Sequence, residues 1–130
     1  MAAANDEPVY TLSDNVKAIL HEINSLQHEL VTEGKTGVID LRSLPLLPTE
    51  YDTLKHILGE GEVKASLNTL GDSTIIETAL TGVWWVFHDD ENNERLAEFI
   101  EITDMPDILK SNKNEIEMAY TVLKEQLEAY

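Results

Sequence analysis

Carboxylates are the most abundant side chains in this protein that could take part in a chemical reaction. Its 130 residues contain 25 Asp and Glu against 9 Lys and Arg, a formal net charge of −16. Paired carboxylates can act as general acid and base. Enzymes also carry recognisable patterns, yet the chain has no Gly-x-Ser-x-Gly elbow, no phosphate-binding Gly-Lys-Ser/Thr and no His-Glu-x-x-His. The sequence therefore predicts a protein that is not an enzyme.

Metal binding has two sets of candidate ligands. Four acids crowd one polar stretch: Asp89, Asp90, Glu91 and Glu94. They lack the alternating spacing and terminal Glu of a calcium-binding EF-hand loop, so we expect a solvated turn. His21 and His28 are separated by two helical turns, roughly 10 Å, too far to share one ion. Since the chain also has no cysteine, we predict no metal and no cofactor.

Three further acids lie beside the glycines and tryptophans: Glu60, Glu62 and Glu77. The run from Gly59 to Glu62 resembles the opening of a dinucleotide loop, but it precedes a strand and would set acids beside a pyrophosphate. The negative charge also disfavours nucleic acid and anionic membranes, and it favours a basic polypeptide as partner. In the structural alternative, Gly59 and Gly61 only shape the entry to a strand.

Strands must position these residues. Alternating side chains predict strands over residues 62–70, 74–80, 83–88 and 95–103, with Gly82 before the third. Trp84 and Trp85 are adjacent in that third strand, so they must point to opposite faces of the sheet. We expect one of them to be an exposed contact residue. In the structural alternative both tryptophans fill the core.

Helices flank the strands. Ser13 or Asp14 can cap an amphipathic helix that Gly34 ends, and residues 37–44 predict a short edge strand. Thr49 can cap a short helix, and apolar residues over 115–127 predict a terminal helix. The fold class is α+β: a single domain with an antiparallel β-sheet, a meander of about four strands, packed on one face by the N- and C-terminal helices. We predict a flexible tail over 1–12 and the domain over 13–130.

The chain contains no stretch of ~20 apolar residues and begins with no basic, then apolar, leader. We therefore expect a cytoplasmic protein without membrane insertion.

An ordered set of sequence blocks resembles the C-terminal conserved domain of the HupH/HyaF hydrogenase expression proteins. The blocks span residues 45–106: Leu47-Pro48, Leu58-Gly59-Glu60-Gly61-Glu62-Val63, Ile76-Glu77-Thr78, Gly82-Val83-Trp84-Trp85-Val86, and Glu101-Ile102 before Met105-Pro106. The resemblance implies an accessory in the biosynthesis of [NiFe] uptake hydrogenases that acts on the iron–sulfur small subunit before its export. It implies no catalytic residues.

Charge and resemblance lead to one hypothesis, a chaperone that binds the hydrogenase small subunit or other maturation proteins. A basic export segment beside an apolar run would meet Glu60, Glu62, Glu77 and one tryptophan. The alternative is a self-associating structural module without such a client, a homodimer formed by strand edges or helices.

Overall fold

The computed structural model describes residues 12–68 and 70–130. Its α-helices are α1 (Asp14–Glu33), α2 (Pro48–Leu58) and α3 (Lys113–Glu128). Its strands are β1 (Gly37–Asp40), β2 (Lys64–Asn68), β3 (Asp72–Glu77), β4 (Val83–Asp89) and β5 (Arg95–Ile102), and short 3-10 helices cover Leu41–Ser43 and Asp107–Leu109. This is the α+β class predicted from the sequence.

The predicted flexible tail falls outside the described residues except for its last position. Leu12 is half-buried and packs against the main core.

The sheet has five antiparallel strands in the order β1-β5-β4-β3-β2. The predicted meander corresponds to β2 through β5. The predicted edge strand is β1, which adds a fifth strand to the sheet. It pairs with β5, with Gly37 opposite Ile102, and it stops at Asp40 because a 3-10 turn follows. The first strand in the chain is thus held by the last.

Local signals account for the first two helices. The Ser13 hydroxyl accepts from the N–H of Val16 (3.2 Å) and caps α1, which ends at Gly34 as predicted. The predicted cap of α2 at Thr49 is wrong, because the N-cap is Leu47, two residues earlier, and the helix begins at Pro48. Proline suits the first helical position, where no N–H is needed.

Glu50 joins the starts of the two helices. Its carboxylate accepts from the N–H of Leu47 (2.9 Å) and from the Ser13 hydroxyl (2.5 Å). These hydrogen bonds, Ser13 first, hold the pKa of Glu50 below its ordinary value, since they stabilise the charged form.

The two faces of the sheet carry separate apolar clusters. The face under α1 and α2 holds the main core, whose largest buried side chains include Ile23, Leu41, Leu54, Leu58, Trp85, Ile100 and Ile102. The opposite face holds Ile75, Trp84 and Val86, against which Ala65, Leu67 and Leu109 pack.

The terminal helix departs from the prediction. The expectation that it packs on the sheet beside the N-terminal helix is wrong, because every residue of α3 is exposed and none belongs to either apolar cluster. The amphipathic pattern correctly predicts a helix. It does not say whether the apolar side is buried within the same chain.

Candidate functional site

A groove remains open where the helices stop covering the sheet. It encloses about 260 Å³ and is lined by Lys55, Gly59, Glu60, Ile76, Trp85 and Phe87. We call it the Trp85 groove. Ile76 and Phe87 are half-buried, whereas Trp85 is only 4% exposed. The lining is thus mainly apolar, with one acid and one base.

The Gly-Glu-Gly-Glu segment forms one border of the groove. The N–H of Gly61 donates to the carbonyl of Glu77 at 2.7 Å, which straps the segment to the end of β3. A Cβ at Gly61 would lie 2.5 Å from the carbonyl oxygen of Thr78, so only glycine permits this approach. Gly59 ends α2 at a φ of 65°. The structural role predicted for these two glycines agrees with this geometry.

The segment held by the Gly61 hydrogen bond leaves two acidic side chains exposed to solvent. Glu60 and Glu62 are both exposed, and Glu60 lines the groove. Because Gly61 between them is held against β3, both glutamates are carried by a segment of fixed position. Their role in binding a partner stays a prediction.

Trp85 is fixed from within the protein. Its indole Nε1 donates to Oε2 of Glu98 at 2.6 Å, and Nη1 of Arg95 lies 3.1 Å from the same oxygen. The guanidinium of Arg95 stacks on Phe87, 3.9 Å from the ring centre. From the helix side, Nζ of Lys55 lies 5.4 Å from the centre of the Trp85 ring, within cation–π range.

The other predicted contact residues lie on the opposite face. Trp84 points away from Trp85, as predicted, but it too is only 4% exposed, and its Nε1 donates to the carbonyl of Thr103 at 3.0 Å. The expectation of an exposed tryptophan is therefore wrong. The chain that follows β5 covers this face, since Leu109 packs against the Trp84 cluster.

Glu77 and Gly82 belong to the same region as Trp84. Glu77 is half-buried and stands opposite Trp84 in the pairing of β3 with β4. The carbonyl of Gly82 accepts from the N–H of Thr103 at 2.9 Å, so this glycine helps to hold the covering segment. The predicted contact residues therefore do not converge on one surface. Glu60 and Trp85 share the groove, whereas Trp84 and Glu77 share the far face.

Five residues of the site had no functional role predicted from the sequence: Lys55, Ile76, Phe87, Arg95 and Glu98. Glu98 carried a readable signal, because it lies between Leu96 and Ile100 at the alternate positions of its strand. A carboxylate at such a position must find a partner when it is buried. No signal in the sequence indicated the groove itself, because its presence depends on where α2 ends above the sheet.

A serine and a histidine are also in contact. Ser73 Oγ and Nδ1 of His88 are 2.6 Å apart, and the two residues stand directly opposite each other on β3 and β4. Nucleophilic catalysis also needs an orienting group and donors for the developing oxyanion. We assign this pair to the cross-strand contacts that stabilise a sheet.

The acidic turn is held by its own backbone. Oδ1 of Asp90 accepts from the N–H groups of Asn92 and Glu94, and Asp89 pairs with Arg95 at 2.6 Å. Within residues 12–68 and 70–130, no three His, Asp or Glu side chains are grouped to hold a metal ion. In the same part of the chain, no helix is long and apolar enough to cross a membrane.

Comparison with known proteins gives consistent matches. Residues 14–130 match the family profile described as the C-terminal conserved region of the HupH hydrogenase expression protein. The chain is 30% identical over 96 residues to the hydrogenase expression/formation protein HupH of Rhodobacter capsulatus, covering 74% of this chain and 35% of that protein. It is 37% identical over 57 residues to HoxQ of Azotobacter vinelandii, covering 44% of this chain and 20% of that one.

A solved structure shares the fold. The hydrogenase expression protein HupH from Thiobacillus denitrificans superposes with a TM-score of 0.87 at 35% identity, covering 91% of this chain and 98% of that one. The matched region spans about a third of the length of the Rhodobacter relative.

Proposed function

This chain belongs to the HupH hydrogenase expression protein family, through its C-terminal conserved region, and we propose that it is a non-catalytic accessory in [NiFe] hydrogenase biosynthesis. Its client is the iron–sulfur small subunit or the precursor of that subunit, which it binds in the cytoplasm during maturation. The names of its relatives, hydrogenase expression/formation proteins, support the general role. The resemblance to the family implies this client, and the apolar lining of the groove with its exposed Glu60 suits such a partner.

The observation that carries the proposal is a mainly apolar groove whose one acid, Glu60, is exposed and lies on the same segment as the exposed Glu62. Phe87 and Ile76 offer apolar surface, and Glu60 and Glu62 lie on the rigid segment beside it. A precursor bound for twin-arginine export carries basic residues next to an apolar run. Opposite charges at the rim of an interface speed encounter and fix orientation, while the apolar contact holds the complex.

The size of the groove favours a polypeptide over a metabolite. Pockets for small molecules usually enclose ~300–1,000 Å³ and bury most of the ligand. The Trp85 groove encloses about 260 Å³ and is open to solvent along Glu60. It has room for one or two side chains of a larger partner, which is how an interface anchor binds.

The direct test is a binding titration of the purified full chain with the small-subunit precursor at low and moderate salt. We expect a complex that weakens as the salt concentration rises, because exposed charges are screened. A precursor from which the basic segment has been removed should bind more weakly. No binding at any salt concentration would refute the proposed client, and equal binding of both precursor forms would refute the basic segment as the part of the client that is bound.

A charge-matched pair of variants locates the contact. Glu60→Gln with Glu62→Gln should weaken binding by about tenfold, since each rim charge contributes roughly 0.5–1 kcal/mol. Glu22→Gln with Glu33→Gln changes the net charge equally on exposed positions of α1, and it should leave affinity nearly unchanged. Equal losses in the two variants would mean that net charge alone attracts the client and that the groove has no part in binding.

A further inference from the structure

A second exposed apolar surface lies on α3. Four of its large side chains follow one another at intervals of four, three and four residues: Ile116, Tyr120, Leu123 and Leu127. They are 56%, 68%, 57% and 64% exposed. This spacing is that of a coiled coil in which Ile116 and Leu123 take the d positions and Tyr120 and Leu127 take the a positions. Side chains at these positions form a single seam along a helix. We call these four residues the α3 seam.

We propose that the α3 seam binds the α3 seam of a second copy of this chain, with the two helices antiparallel. In that arrangement Ile116 of each copy lies opposite Leu127 of the other. Tyr120 of each copy likewise lies opposite Leu123 of the other. Every a position then meets a d position, so each large side chain of the seam has an apolar partner, and the arrangement has the two-fold symmetry that most homodimers use.

Charges beside the seam select this orientation. Glu117 and Lys124 both occupy the e position that flanks it, and the antiparallel pair brings Glu117 of each copy next to Lys124 of the other. Within one helix the two are separated by two turns, roughly 10 Å, too far to pair with each other. A parallel pair would instead place Glu117 near Asn112 and Lys124 near Ala119, without an opposite charge. The charge pattern thus matches a second copy in one orientation.

The strength expected of the dimer is modest. The seam extends over about 17 Å of helix, and short helical pairs are marginal by themselves. Each chain also carries a formal charge of −16, and this charge opposes self-association. We therefore expect a dimer whose population rises with protein concentration from micromolar to millimolar.

Adjacent residues on α3 supply a matched pair of variants. Leu123 and Val122 are 57% and 52% exposed, but Leu123 lies in the seam and Val122 faces the other side of the helix. Sedimentation equilibrium of the full chain should show a monomer–dimer equilibrium that Leu123→Ser abolishes and Val122→Ser leaves intact. A wild-type chain that is monomeric throughout this range, or equal effects of the two variants, would overturn the proposal.

Exchange of the flanking charges tests the orientation. Glu117→Lys or Lys124→Glu alone sets like charges opposite each other twice in the dimer, and each should weaken it about tenfold. The double variant E117K/K124E restores both pairs and the original net charge, so it should dimerise as the wild type does. Glu125→Lys, on the side away from the seam, is the control for charge. Failure of the double variant to recover would overturn the antiparallel arrangement.

These measurements use the purified chain without any client. They can therefore fail while the groove proposal stands, and the reverse is equally true.

Discussion

Trp85 and Glu98, on neighbouring strands, are joined by a hydrogen bond of 2.6 Å from the indole N–H to a carboxylate that is 4% exposed. Arg95 bonds to the same carboxylate oxygen and covers Phe87. One buried acid therefore orients both aromatic residues of the groove. The floor of the groove is a rigid part of the sheet, set by hydrogen bonds as well as by packing.

Glu98→Gln should destabilise the protein by about 1–3 kcal/mol, because Arg95 loses a buried charged partner and the amide hydrogen-bonds less strongly. Denaturant unfolding followed by tryptophan fluorescence measures this loss. Glu94→Gln removes the same charge from an exposed position of the adjacent turn and should change stability by less than about 0.5 kcal/mol. Similar stabilities for the two variants would contradict the role given to Glu98.

Gly61→Ala should destabilise the protein by about 1–3 kcal/mol, because its new Cβ would meet the carbonyl of Thr78 at 2.5 Å and the strap would have to shift. Glu60→Ala, at the neighbouring exposed position, is expected to stay within about 0.5 kcal/mol of the wild type. The midpoint of urea unfolding reports both changes. A Gly61→Ala protein as stable as the wild type would mean that the segment is not held against β3 in solution.

Glu50 should make stability depend on acid pH. Hydrogen bonds from Ser13 and Leu47 lower the pKa of Glu50 in the folded protein. The stabilisation they provide is therefore fully present above the pKa that Glu50 has in the unfolded chain. It is lost as the pH falls through the folded pKa. Glu50→Gln should therefore melt at a lower temperature than the wild type at pH 7, and the difference should shrink toward pH 2. Melting curves across that range test the prediction, with Glu22→Gln as the control of equal charge.

The elements that the sequence predicts well are those whose signals are local. Helix α1 has a capping serine at Ser13, apolar residues at helical spacing and a stop at Gly34, all within the segment itself. The alternation of side chains in the strands is equally local, so the meander from β2 to β5 could be foreseen. The pairing of β1 with β5 could not be foreseen, because it joins a strand that precedes the meander to the last strand of the meander.

Burial of the predicted contact residues was the harder problem. Alternation established that Trp84 and Trp85 face opposite ways, but it cannot reveal what covers each face. The segment that carries Thr103 and Leu109 covers Trp84, and nothing in the spacing of that segment predicts its path. For α3 the prediction failed in the opposite sense, because burial was predicted and the helix is exposed. The apolar pattern was assigned to the core, although the chain leaves it in solvent.

The pairing of β1 with β5 also bears on how the chain emerges from the ribosome. Gly37 is synthesised early, but the residue opposite it, Ile102, appears only after α2 and the other strands. Until then β1 has no strand to bond, and the apolar side of α1 has only part of the surface that will bury it. Contacts between distant parts of a chain form slowly, because the entropy cost of closing a large loop comes before the contacts can stabilise the chain. The nascent protein therefore passes through a stage in which apolar surface that the completed sheet will bury is still exposed. A protein proposed to bind another polypeptide during maturation thus exposes similar surface during its own synthesis.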